Sequence, residues 1–389
     1  MDALWADPGG RRGVSPGAGR TAFLRVVDPA TVETPIGYVD LARVRLNAER
    51  TATYAAEHRL GWRPHIKTHK SRAIARIQLD KGAIGLTVAT LREAEVMAGL
   101  TDDILLAYPP VGDARLERLL RLPSSLDLKV GLDSHDVLTP LATAAVRAGR
   151  SGGVLIEEDL GLGRVGVRGP DEVIHLANAA RSLEGVNFRG LMFYPGHIRM
   201  SVQEQVIHQE ALNERLVRTL SALRKEGLNP EIISGGSTPT LWRSHEIQGL
   251  TEIRAGSCIF FDREALEVGV ASVENLAYTV LATVISTAVP GQAVVDAGSK
   301  ALAKESRSGE AGFGILFDRP DVVVSSVSEE HGVLDISGTD WDPRVGERVR
   351  IIPNHVCVSV NLQEELLTKD DGTHCLLEVE ARGRRHWND

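Results

Sequence analysis

Eight short runs of strand-forming residues, most of them followed by a stretch with helical periodicity, occupy roughly residues 63–262. The first run is RPHIK and the last is TEIRAGSCIFF, and segments such as TLREAEVMAGL place their apolar residues on one helical face. Eight strands alternating with helices are typical of a (β/α)₈ barrel, so the sequence predicts an α/β chain built on a TIM barrel. A doubly wound open sheet is the alternative. It requires a glycine-rich first turn, whereas RPHIKTHKS contains no glycine.

The character of the sequence changes after Asp262. Runs rich in β-branched residues, including DVVVSSVSEEHGVLDIS and GERVRIIPNHVCVSV, are separated by Gly, Pro and Asp turns. We therefore expect a smaller, mostly antiparallel β domain at 266–389, after a barrel domain at 30–265 that a strand and a helix lead into. Residues 1–29 are rich in Gly, Pro and Arg without an apolar core, which predicts a flexible tail rather than a secretory signal.

The composition argues against several classes of partner. The chain has 44 Lys+Arg against 52 Asp+Glu, a formal net charge of −8, so no overall positive field attracts nucleic acid or anionic lipid. Aromatic residues make up only 4%, and no apolar run approaches the roughly 20 residues of a membrane span. Three widely spaced cysteines, an odd number, indicate free thiols in a reducing compartment. The sequence therefore predicts a cytoplasmic protein without a nucleic-acid or membrane partner.

The first predicted strand carries the most reactive candidate residue, because the catalytic groups of a barrel lie at the C-terminal ends of its strands. The strand ends with His65, Lys67 and His69, which strand alternation places on one face. Lys70 would then point away and begin the next helix. A lysine in a barrel mouth is costly unless it is paired or deprotonated, and a deprotonated lysine can form a Schiff base with a carbonyl compound. A solvated basic turn is the alternative.

Later strands end in residues that suit an anionic cofactor. Glycines flank Arg164 after the fifth strand, and Tyr194 lies at the rim after the sixth. Barrels frequently bind phosphate after strand seven, where the loop SGGSTPT offers hydroxyls and N–H groups. Each loop alone also fits an ordinary turn. Together, a lysine, an arginine and an anion-binding loop indicate a phosphate-bearing cofactor that forms an imine, and pyridoxal phosphate has both groups.

A possible metal pair lies in the predicted β domain. His355 and Cys357 alternate on one face of a predicted strand, and such a pair can hold a borderline metal such as Zn²⁺. A buried cysteine beside a polar histidine is the alternative and commoner explanation of the H-x-C pattern.

The ordered set of segments resembles the D-threonine aldolase and D-serine dehydratase family, whose members are fold-type III pyridoxal phosphate enzymes similar in architecture to alanine racemase. It includes RPHIKTHK, GLTVATLREAEVM, GLGRVGV, SGGSTPT, TEIRAGSCIFFD and PNHVCVSVNL, and runs from about Thr34 to Leu362. The resemblance implies a homodimer with the site near the interface. It also implies that Lys67 is the Schiff-base lysine, with His65 beside it. Arg164 would contact the cofactor's phenolic oxygen, and Tyr194 would lie near the pyridine ring. The phosphate cradle would be formed by Gly235, Gly236, Ser237 and Thr238, and the metal pair by His355 and Cys357.

The resemblance leaves the reaction open between two kinds of lyase. The aldolase branch has H-x-D where this chain has H-x-C, and a histidine six residues after the tyrosine, where this chain has Met200. His197 would replace that histidine as a catalytic residue only if the loop differs. These differences slightly favour β-elimination. We therefore expect a lyase, activated by Zn²⁺ or Mn²⁺, that dehydrates or cleaves a D-serine- or D-threonine-type amino acid. A non-catalytic pyridoxal phosphate carrier and an amino-acid racemase of the same fold are the alternatives.

Overall fold

A computed structural model describes residues 25–305 and 312–387 of the chain. Residues 1–24 of the predicted flexible tail lie outside this range. The described chain opens with two strands, β1 (Arg25–Val26) and β2 (Ile36–Asp40), and a long helix, α1 (Leu41–Glu57). The helix begins where it does because the Asp40 carboxylate accepts a hydrogen bond from the Arg43 N–H at 3.1 Å, which caps the first turn.

Eight parallel strands then form a barrel, as the sequence predicts. The strands are β3 (Gly61–Trp62), β4 (Leu86–Val88), β5 (Asp103–Leu106), β6 (Asp127–Leu132), β7 (Gly152–Glu157), β8 (Val186–Met192), β9 (Ile232–Gly235) and β10 (Glu252–Ile253). They pair in the order β3-β10-β9-β8-β7-β6-β5-β4. One further parallel bridge, between His65 and Thr87, joins the two ends of this order and closes the barrel.

Helices connect the strands on the outside of the barrel. They are α2 (Arg72–Asp80), α3 (Leu91–Met97), α4 (Asp113–Leu120), α5 (His135–Arg147), α6 (Pro170–Ser182), α7 (Gln205–Lys225) and, after the last strand, α8 (Arg263–Glu267). Between β9 and β10 the connection is a 3₁₀ helix, Leu241–Glu246. The apolar faces of these helices pack against the strands in one continuous core.

The predicted β domain is present, and its sheet has ten strands. After the barrel the chain forms β11 (Tyr278–Ser286), β12 (Gln292–Val295), α9 (Ser299–Leu302), β13 (Gly314–Leu316), β14 (Val323–Val327), β15 (Gly332–Asp335), β16 (Arg348–Pro353), α10 (Val356–Leu362), β17 (Glu365–Asp370) and β18 (Thr373–Glu378). The order is β1-β18-β17-β2-β11-β12-β15-β14-β13-β16. An additional pairing of β11 with β16 closes six of the strands into a small antiparallel barrel.

The N-terminal strand β2 departs from the sequence-based assignment. We expected it to lead into the (β/α)₈ barrel, but it lies inside the β-domain sheet, antiparallel to β11 and parallel to β17. The reason is tertiary: the Gly37 N–H donates to the Gln363 side chain at 3.0 Å, and a Cβ on Gly37 would lie 2.6 Å from Leu366. Sequence position alone does not report these contacts.

The interior of the (β/α)₈ barrel is partly charged. A small apolar cluster of Leu105, Leu155 and Met192 fills one level and is separate from the main core. At the level where β5 and β10 begin, Arg63 donates to Glu252 at 3.0 Å and also pairs with Asp103. Ion pairs this deeply buried need complete pairing, because desolvation costs several kcal/mol per ion. Arg63 therefore clamps the short strand β3 to two other strands of the barrel.

The last described residues form a strap, 382–387, that returns from the β domain to the barrel. Arg92 on α3 donates to the His386 carbonyl at 2.8 Å and lies 4.5 Å from the centroid of the Trp387 ring. The Trp387 N–H donates to Glu95 at 3.0 Å. The strap therefore joins the C-terminal end of the β domain to helix α3 of the barrel. No helix in the described ranges is both long enough and apolar enough to cross a membrane.

A carboxyl group is buried between β7 and α7. Glu158 is 3% exposed and accepts a hydrogen bond from the Thr219 hydroxyl at 2.6 Å, while its second oxygen has no partner among the described residues. Burial raises the pKa of Glu158 to about 7, against the opposing effect of the Thr219 hydrogen bond. The folded protein therefore binds a proton here that the unfolded chain releases near pH 4.5.

This difference predicts a pH-dependent loss of stability. The contribution is complete below about pH 4.5, is lost as the pH rises through about 7, and is then constant. Glu158→Gln removes the titration, so at pH 8 we expect this variant to be more stable than the wild type by about 1–3 kcal/mol. Urea unfolding between pH 5 and 8.5 measures this, with Glu214→Gln on the exposed side of α7 as the control. Parallel pH profiles of the wild type and Glu158→Gln would contradict the prediction.

Candidate active site at the mouth of the barrel

The segment RPHIKTHKS is not a strand, which corrects the sequence prediction. Strand β3 ends at Trp62, His65 makes the isolated bridge, and Ile66–Thr68 forms a 3₁₀ turn. His65 and Lys67 still reach the same cavity. His69 does not: it is buried on the other side, where its Nε2 lies 3.0 Å from the Gln78 side-chain oxygen. Strand alternation therefore grouped His65 and Lys67 for the wrong reason, and it was wrong to include His69.

Lys70 also differs from both sequence-based interpretations of this segment. It is buried, with a positive φ of 52°, and its ammonium pairs with Glu93 at 3.3 Å. It does not begin a helix, since α2 begins at Arg72, and it does not form a solvated basic turn. Its carbonyl accepts a hydrogen bond from the Ala381 N–H at 3.0 Å, so the end of the β domain supports this turn from behind.

A cavity of about 180 Å³ opens at the C-terminal ends of the barrel strands and reaches the β domain. All of the predicted site residues line it except His197 and Gly235. Those that do are His65, Lys67, Arg164, Tyr194, Gly236, Ser237, Thr238, His355 and Cys357. The structure thus brings His355 and Cys357 of the β domain to the barrel residues, a connection that the sequence made only by resemblance.

Tyr194 forms one wall of the cavity. The Lys67 ammonium lies 5.6 Å from the centroid of its ring, and the Arg164 guanidinium carbon lies 5.0 Å from it. A Cβ on Gly196 would lie 2.3 Å from the same ring, so glycine is required for the loop to fold back onto the tyrosine. This turn carries His197 away from the cavity, where its Nε2 lies against Gly161. His197, which we expected as a catalytic residue, therefore does not line the cavity.

The loops after strands seven and eight present backbone donors to the cavity. The N–H groups of Gly236, Thr238, Gly256 and Ser257 have no acceptor in the described part of the chain. Converging N–H groups of this kind bind phosphate oxygens. Gly235 instead packs against Phe193, whose ring would lie 2.2 Å from an added Cβ.

Gly256 and Ser257 are site residues that sequence reasoning missed. The signal was available, because TEIRAGS follows the eighth strand and phosphate sites of barrels use the loops after strands seven and eight. A Cβ on Gly256 would lie 2.3 Å from the His65 carbonyl oxygen. This loop therefore packs directly on the turn that carries Lys67.

Two further charged residues at the cavity were also missed. Arg254 follows β10, is 6% exposed, and donates to the Ser234 hydroxyl and to the Phe193 carbonyl, both at 2.7 Å. Glu157 ends β7, and burial raises its pKa although Arg254 and Arg164 oppose this. Burial, together with Lys67 and Arg254, holds the pKa of His65 well below its ordinary value, so this imidazole is neutral.

The predicted metal pair lies at a helix N-terminus rather than on a strand. Strand β16 ends at Pro353, His355 is the N-cap residue of α10, and Cys357 lies in its first turn. The helix forms in a β-branched sequence because the Asp262 carboxylate accepts the Val356 N–H at 3.0 Å, capping it from another part of the chain. The two residues still line the same cavity, although the conformation that strand alternation assumes is wrong here.

Two carboxylates complete a group of metal-type donors around His355. Ligand atoms of Asp262, Glu264 and His355 all lie within 4.8 Å of one another. The His355 Nδ1 has no hydrogen-bond partner among the described residues and lies 3.4 Å from Asp262 and 3.9 Å from Glu264. Burial raises the pKa of the Cys357 thiol, but His355 and Lys67 outweigh it and lower that pKa below its ordinary value. An imidazole, an acidified thiol and two carboxylates form a donor set that fits Zn²⁺.

Comparison with known proteins agrees with this architecture. Residues 39–264 match the family described as alanine racemase, N-terminal domain, and residues 277–368 match the putative serine dehydratase domain. D-threonine aldolase of Arthrobacter sp. is 34% identical over 367 residues, covering 92% of this chain and 94% of that protein. D-threo-3-hydroxyaspartate dehydratase of Delftia sp. (strain HT23) is 34% identical over 351 residues, covering 85% and 92%.

A solved structure of a relative has the same fold. A variant of D-threo-3-hydroxyaspartate dehydratase with a cysteine replaced by alanine, solved in a metal-free form, superimposes with a TM-score of 0.82 at 32% identity, covering 92% of this chain and 98% of that chain. The fold and the lysine-bearing cavity define an enzyme of the alanine racemase architecture. Within it, the chain belongs to the D-threonine aldolase and D-serine dehydratase family of pyridoxal-phosphate-dependent lyases. The resemblance inferred from the sequence is thereby confirmed.

The packing of Gly256 on the lysine turn gives a test of the site geometry. Gly256→Ala forces the His65 backbone to move, because the new Cβ cannot remain 2.3 Å from a carbonyl oxygen. We expect the affinity for pyridoxal phosphate to fall at least tenfold, as measured by cofactor absorbance on titration of the apoprotein. Gly338→Ala is the matched control, since nothing lies within 4 Å of its Cβ position. Equal cofactor affinity of the two variants would show that the loop does not position the lysine.

Proposed function

We propose that this protein is a metal-activated, pyridoxal-phosphate-dependent lyase that dehydrates a D-β-hydroxy-α-amino acid. One observation carries the proposal: the cavity that Lys67 lines is also lined by Cys357 and by His355 and Glu264, two members of the group of possible metal donors. A racemase or a simple carrier of the cofactor has no use for a metal-type donor group beside the lysine. A lyase does, because a β-hydroxyl is a poor leaving group without a Lewis acid.

The residues present fit the cofactor. Lys67 supplies the amine for the Schiff base, Arg164 a guanidinium for the phenolic oxygen, and Tyr194 a ring against the pyridine. The unpartnered N–H groups after strands seven and eight, with the Ser237 and Thr238 side chains, suit the phosphate. Pyridoxal phosphate, when bound, supplies an electron sink for negative charge at Cα.

Lys67 has a second role in this proposal. With a substrate amine on the bound cofactor, the Lys67 Nζ would be placed to take the α-proton of the substrate. The neutral imidazole of His65 lies beside it without competing for that proton, since its pKa is far below the ordinary value.

The donor group at the β domain would hold the metal against the β-hydroxyl. His355 and Cys357 are the proposed ligands, with Glu264 and Asp262 close enough to contribute or to orient His355. Thr68 hydrogen-bonds the Cys357 sulfur at 3.1 Å, which ties the ligand to the lysine turn. The sulfur and nitrogen donors favour Zn²⁺ over Mn²⁺, which prefers oxygen ligands. The metal-free form of the cysteine variant of D-threo-3-hydroxyaspartate dehydratase supports a metal role for a cysteine in a relative.

The geometry favours dehydration over retro-aldol cleavage. Cleavage of Cα–Cβ requires a base for the β-hydroxyl proton, and His197 lies outside the cavity. Met200 packs against the main core and has no basic group. Elimination requires only the α-proton acceptor and the Lewis acid, and both have candidates at the cavity.

Oligomeric state and compartment complete the proposal. Tyr108, Val111 and Val165 are 51%, 55% and 41% exposed on loops at the barrel mouth. This apolar rim supports a homodimer whose interface lies close to the site. The three cysteines are free thiols, which supports a cytoplasmic location.

The reaction is tested with D-serine and D-threonine in the presence of Zn²⁺. We expect 2-oxo acid and ammonia, and we expect Lys67→Ala to abolish turnover. Borohydride should fix the cofactor on Lys67 of the wild type, as shown by a mass increase on the peptide that carries it. Glycine and an aldehyde as products would show that the protein is an aldolase rather than a dehydratase. Full activity of Lys67→Ala would contradict the proposal altogether.

The metal site is tested separately by binding. Cys357→Ala and His355→Ala should each lower the affinity for Zn²⁺ at least tenfold, measured by calorimetry on chelator-treated protein. His331→Ala, an exposed histidine of the same domain, is the matched control and should bind as the wild type does. Unchanged Zn²⁺ affinity in both ligand variants would place the metal elsewhere or exclude it.

A further inference from the structure

One side chain joins the lysine turn, Ile66–Thr68, to the proposed metal ligand Cys357. Thr68 follows Lys67 directly and is 1% exposed. Its Oγ1 lies 3.1 Å from the Cys357 Sγ, and among the described residues this sulfur is the only hydrogen-bond partner of the hydroxyl. In the proposed function the hydroxyl holds neither the cofactor nor the metal, so its effect on either must pass through the sulfur.

Backbone hydrogen bonds hold the two ends of the lysine turn. His65 makes the bridge to β4, and the Ile66 carbonyl accepts the Lys70 N–H at 2.8 Å. The Lys67 N–H, between these two points, is directed at the His65 Nδ1 at 3.5 Å, which is longer than an ordinary hydrogen bond. Helix α10 packs directly on the turn. Side-chain contacts with α10 therefore contribute to the placement of Lys67.

The hydrogen bond between Thr68 and Cys357 changes character when the sulfur holds a metal. A hydroxyl and a thiol can each donate or accept. A cysteine that binds a metal is a thiolate without a proton, so the Thr68 hydroxyl must then be the donor. A hydrogen bond to an ionised acceptor is roughly twice as strong as one between neutral groups. Metal binding would therefore strengthen this contact and hold the lysine turn more firmly against α10.

A lysine turn that the metal has ordered would also favour the cofactor. A Schiff base on Lys67 requires the turn to stay in one conformation, and this ordering costs conformational entropy. When a first ligand has already ordered the turn, the second ligand loses less entropy, and the two bind with positive cooperativity. Linkage makes the effect reciprocal, so the cofactor raises the affinity for the metal by the same factor.

We propose that Thr68 is a positioning residue that couples the metal site to the cofactor site: its hydroxyl donates to the Cys357 thiolate, so that Zn²⁺ and pyridoxal phosphate each bind more tightly when the other is present. The inference rests on the proposed function for the metal ligands and for the Schiff-base lysine. It adds a thermodynamic link between the two groups and the residue that transmits it.

Cooperative binding is measured on the full chain freed of metal and cofactor. Zn²⁺ affinity is obtained by calorimetry with and without pyridoxal phosphate, and cofactor affinity by absorbance with and without Zn²⁺. We expect each ligand to raise the affinity for the other by about fivefold or more, and by the same factor in both directions. Independent binding of the two ligands by the wild type would overturn the proposal.

Variants of Thr68 assign the coupling to its hydroxyl. Thr68→Val keeps a branched side chain without the donor, so it should lower Zn²⁺ affinity by about tenfold or more and bring the coupling factor close to one. Thr68→Ser keeps the donor and should restore both. Thr368→Val is the matched control, because it removes a buried hydroxyl that donates to the Cys375 carbonyl in the hairpin of β17 and β18. If Thr68→Val weakens both ligands but retains the wild-type coupling factor, Thr68 only supports the fold, and the proposal is wrong.

A spectroscopic measurement tests the hydrogen bond to the sulfur directly. Co²⁺ replaces Zn²⁺ in the cofactor-free protein, and its absorption includes a charge-transfer band from the thiolate to the metal. A hydrogen bond to the sulfur lowers the energy of its lone pairs, so the band should move to lower energy in Thr68→Val and remain in place in Thr68→Ser. An identical band in the wild type and Thr68→Val would show that the hydroxyl does not bind the metal-bound sulfur.

The coupling and the proposed reaction fail in different ways. Cooperative binding that is lost in Thr68→Val, without turnover of D-serine or D-threonine by the wild type, supports the coupling and contradicts the proposed reaction. Dehydration by a wild type that binds Zn²⁺ and pyridoxal phosphate independently overturns the coupling and leaves the lyase standing.

Discussion

The paired charges of Arg63 are the constraint on which the barrel and its site depend. Strand β3 has only two residues, too few to close a barrel by backbone pairing alone, and Arg63 follows it directly. Its guanidinium binds Glu252 and Asp103. Its carbonyl accepts a hydrogen bond from the Thr87 hydroxyl at 2.9 Å, which joins the end of β3 to β4, where the barrel closes. His65 and Lys67 follow two and four residues later along the same backbone. Removing one partner would leave an unpaired buried charge, at a cost of about 3–5 kcal/mol, and would open the barrel where the lysine is attached.

The same charges continue to the floor of the cavity. Glu252 accepts the Ser234 hydroxyl at 2.6 Å, and Ser234 in turn accepts Arg254 at 2.7 Å. In the other direction, Lys129 joins Asp103 at 2.7 Å, inside the barrel and 1% exposed. A barrel filled only with aliphatic side chains would leave Arg254 with the Phe193 carbonyl as its acceptor but without the Ser234 hydroxyl. The polar interior therefore supports a buried cation at the wall of the cavity.

Much of the fold was predictable, because hydrophobic periodicity indicates strands and helices over long stretches of sequence. Less of the site was predictable. The sequence patterns recovered eight strands, a β domain and the family, and they predicted a role for Lys67, which lines the cavity. The 3₁₀ turn at Ile66–Thr68 and the helix that begins after His355 were missed, because each is imposed by a distant partner, the Thr87 bridge and the Asp262 cap. Glu264 was missed because a single acid in the short helix α8 carries no sequence pattern. The direction of His197 depends on the contact of Gly196 with Tyr194, which no local rule describes.

The placement of β2 has a consequence for synthesis of the chain. This strand leaves the ribosome before the barrel, yet its neighbours in the sheet, β11 and β17, are made only after the last barrel strand. Throughout that interval both of its hydrogen-bonding edges are unpaired, and its flanking helix α1 is already available to the barrel. Unpaired strand edges are templates for wrong association. The nascent protein therefore passes through a state in which the barrel can be complete while the β domain is not yet formed. The edges of β2 stay exposed until the final residues, through β17 and the strap, have been made.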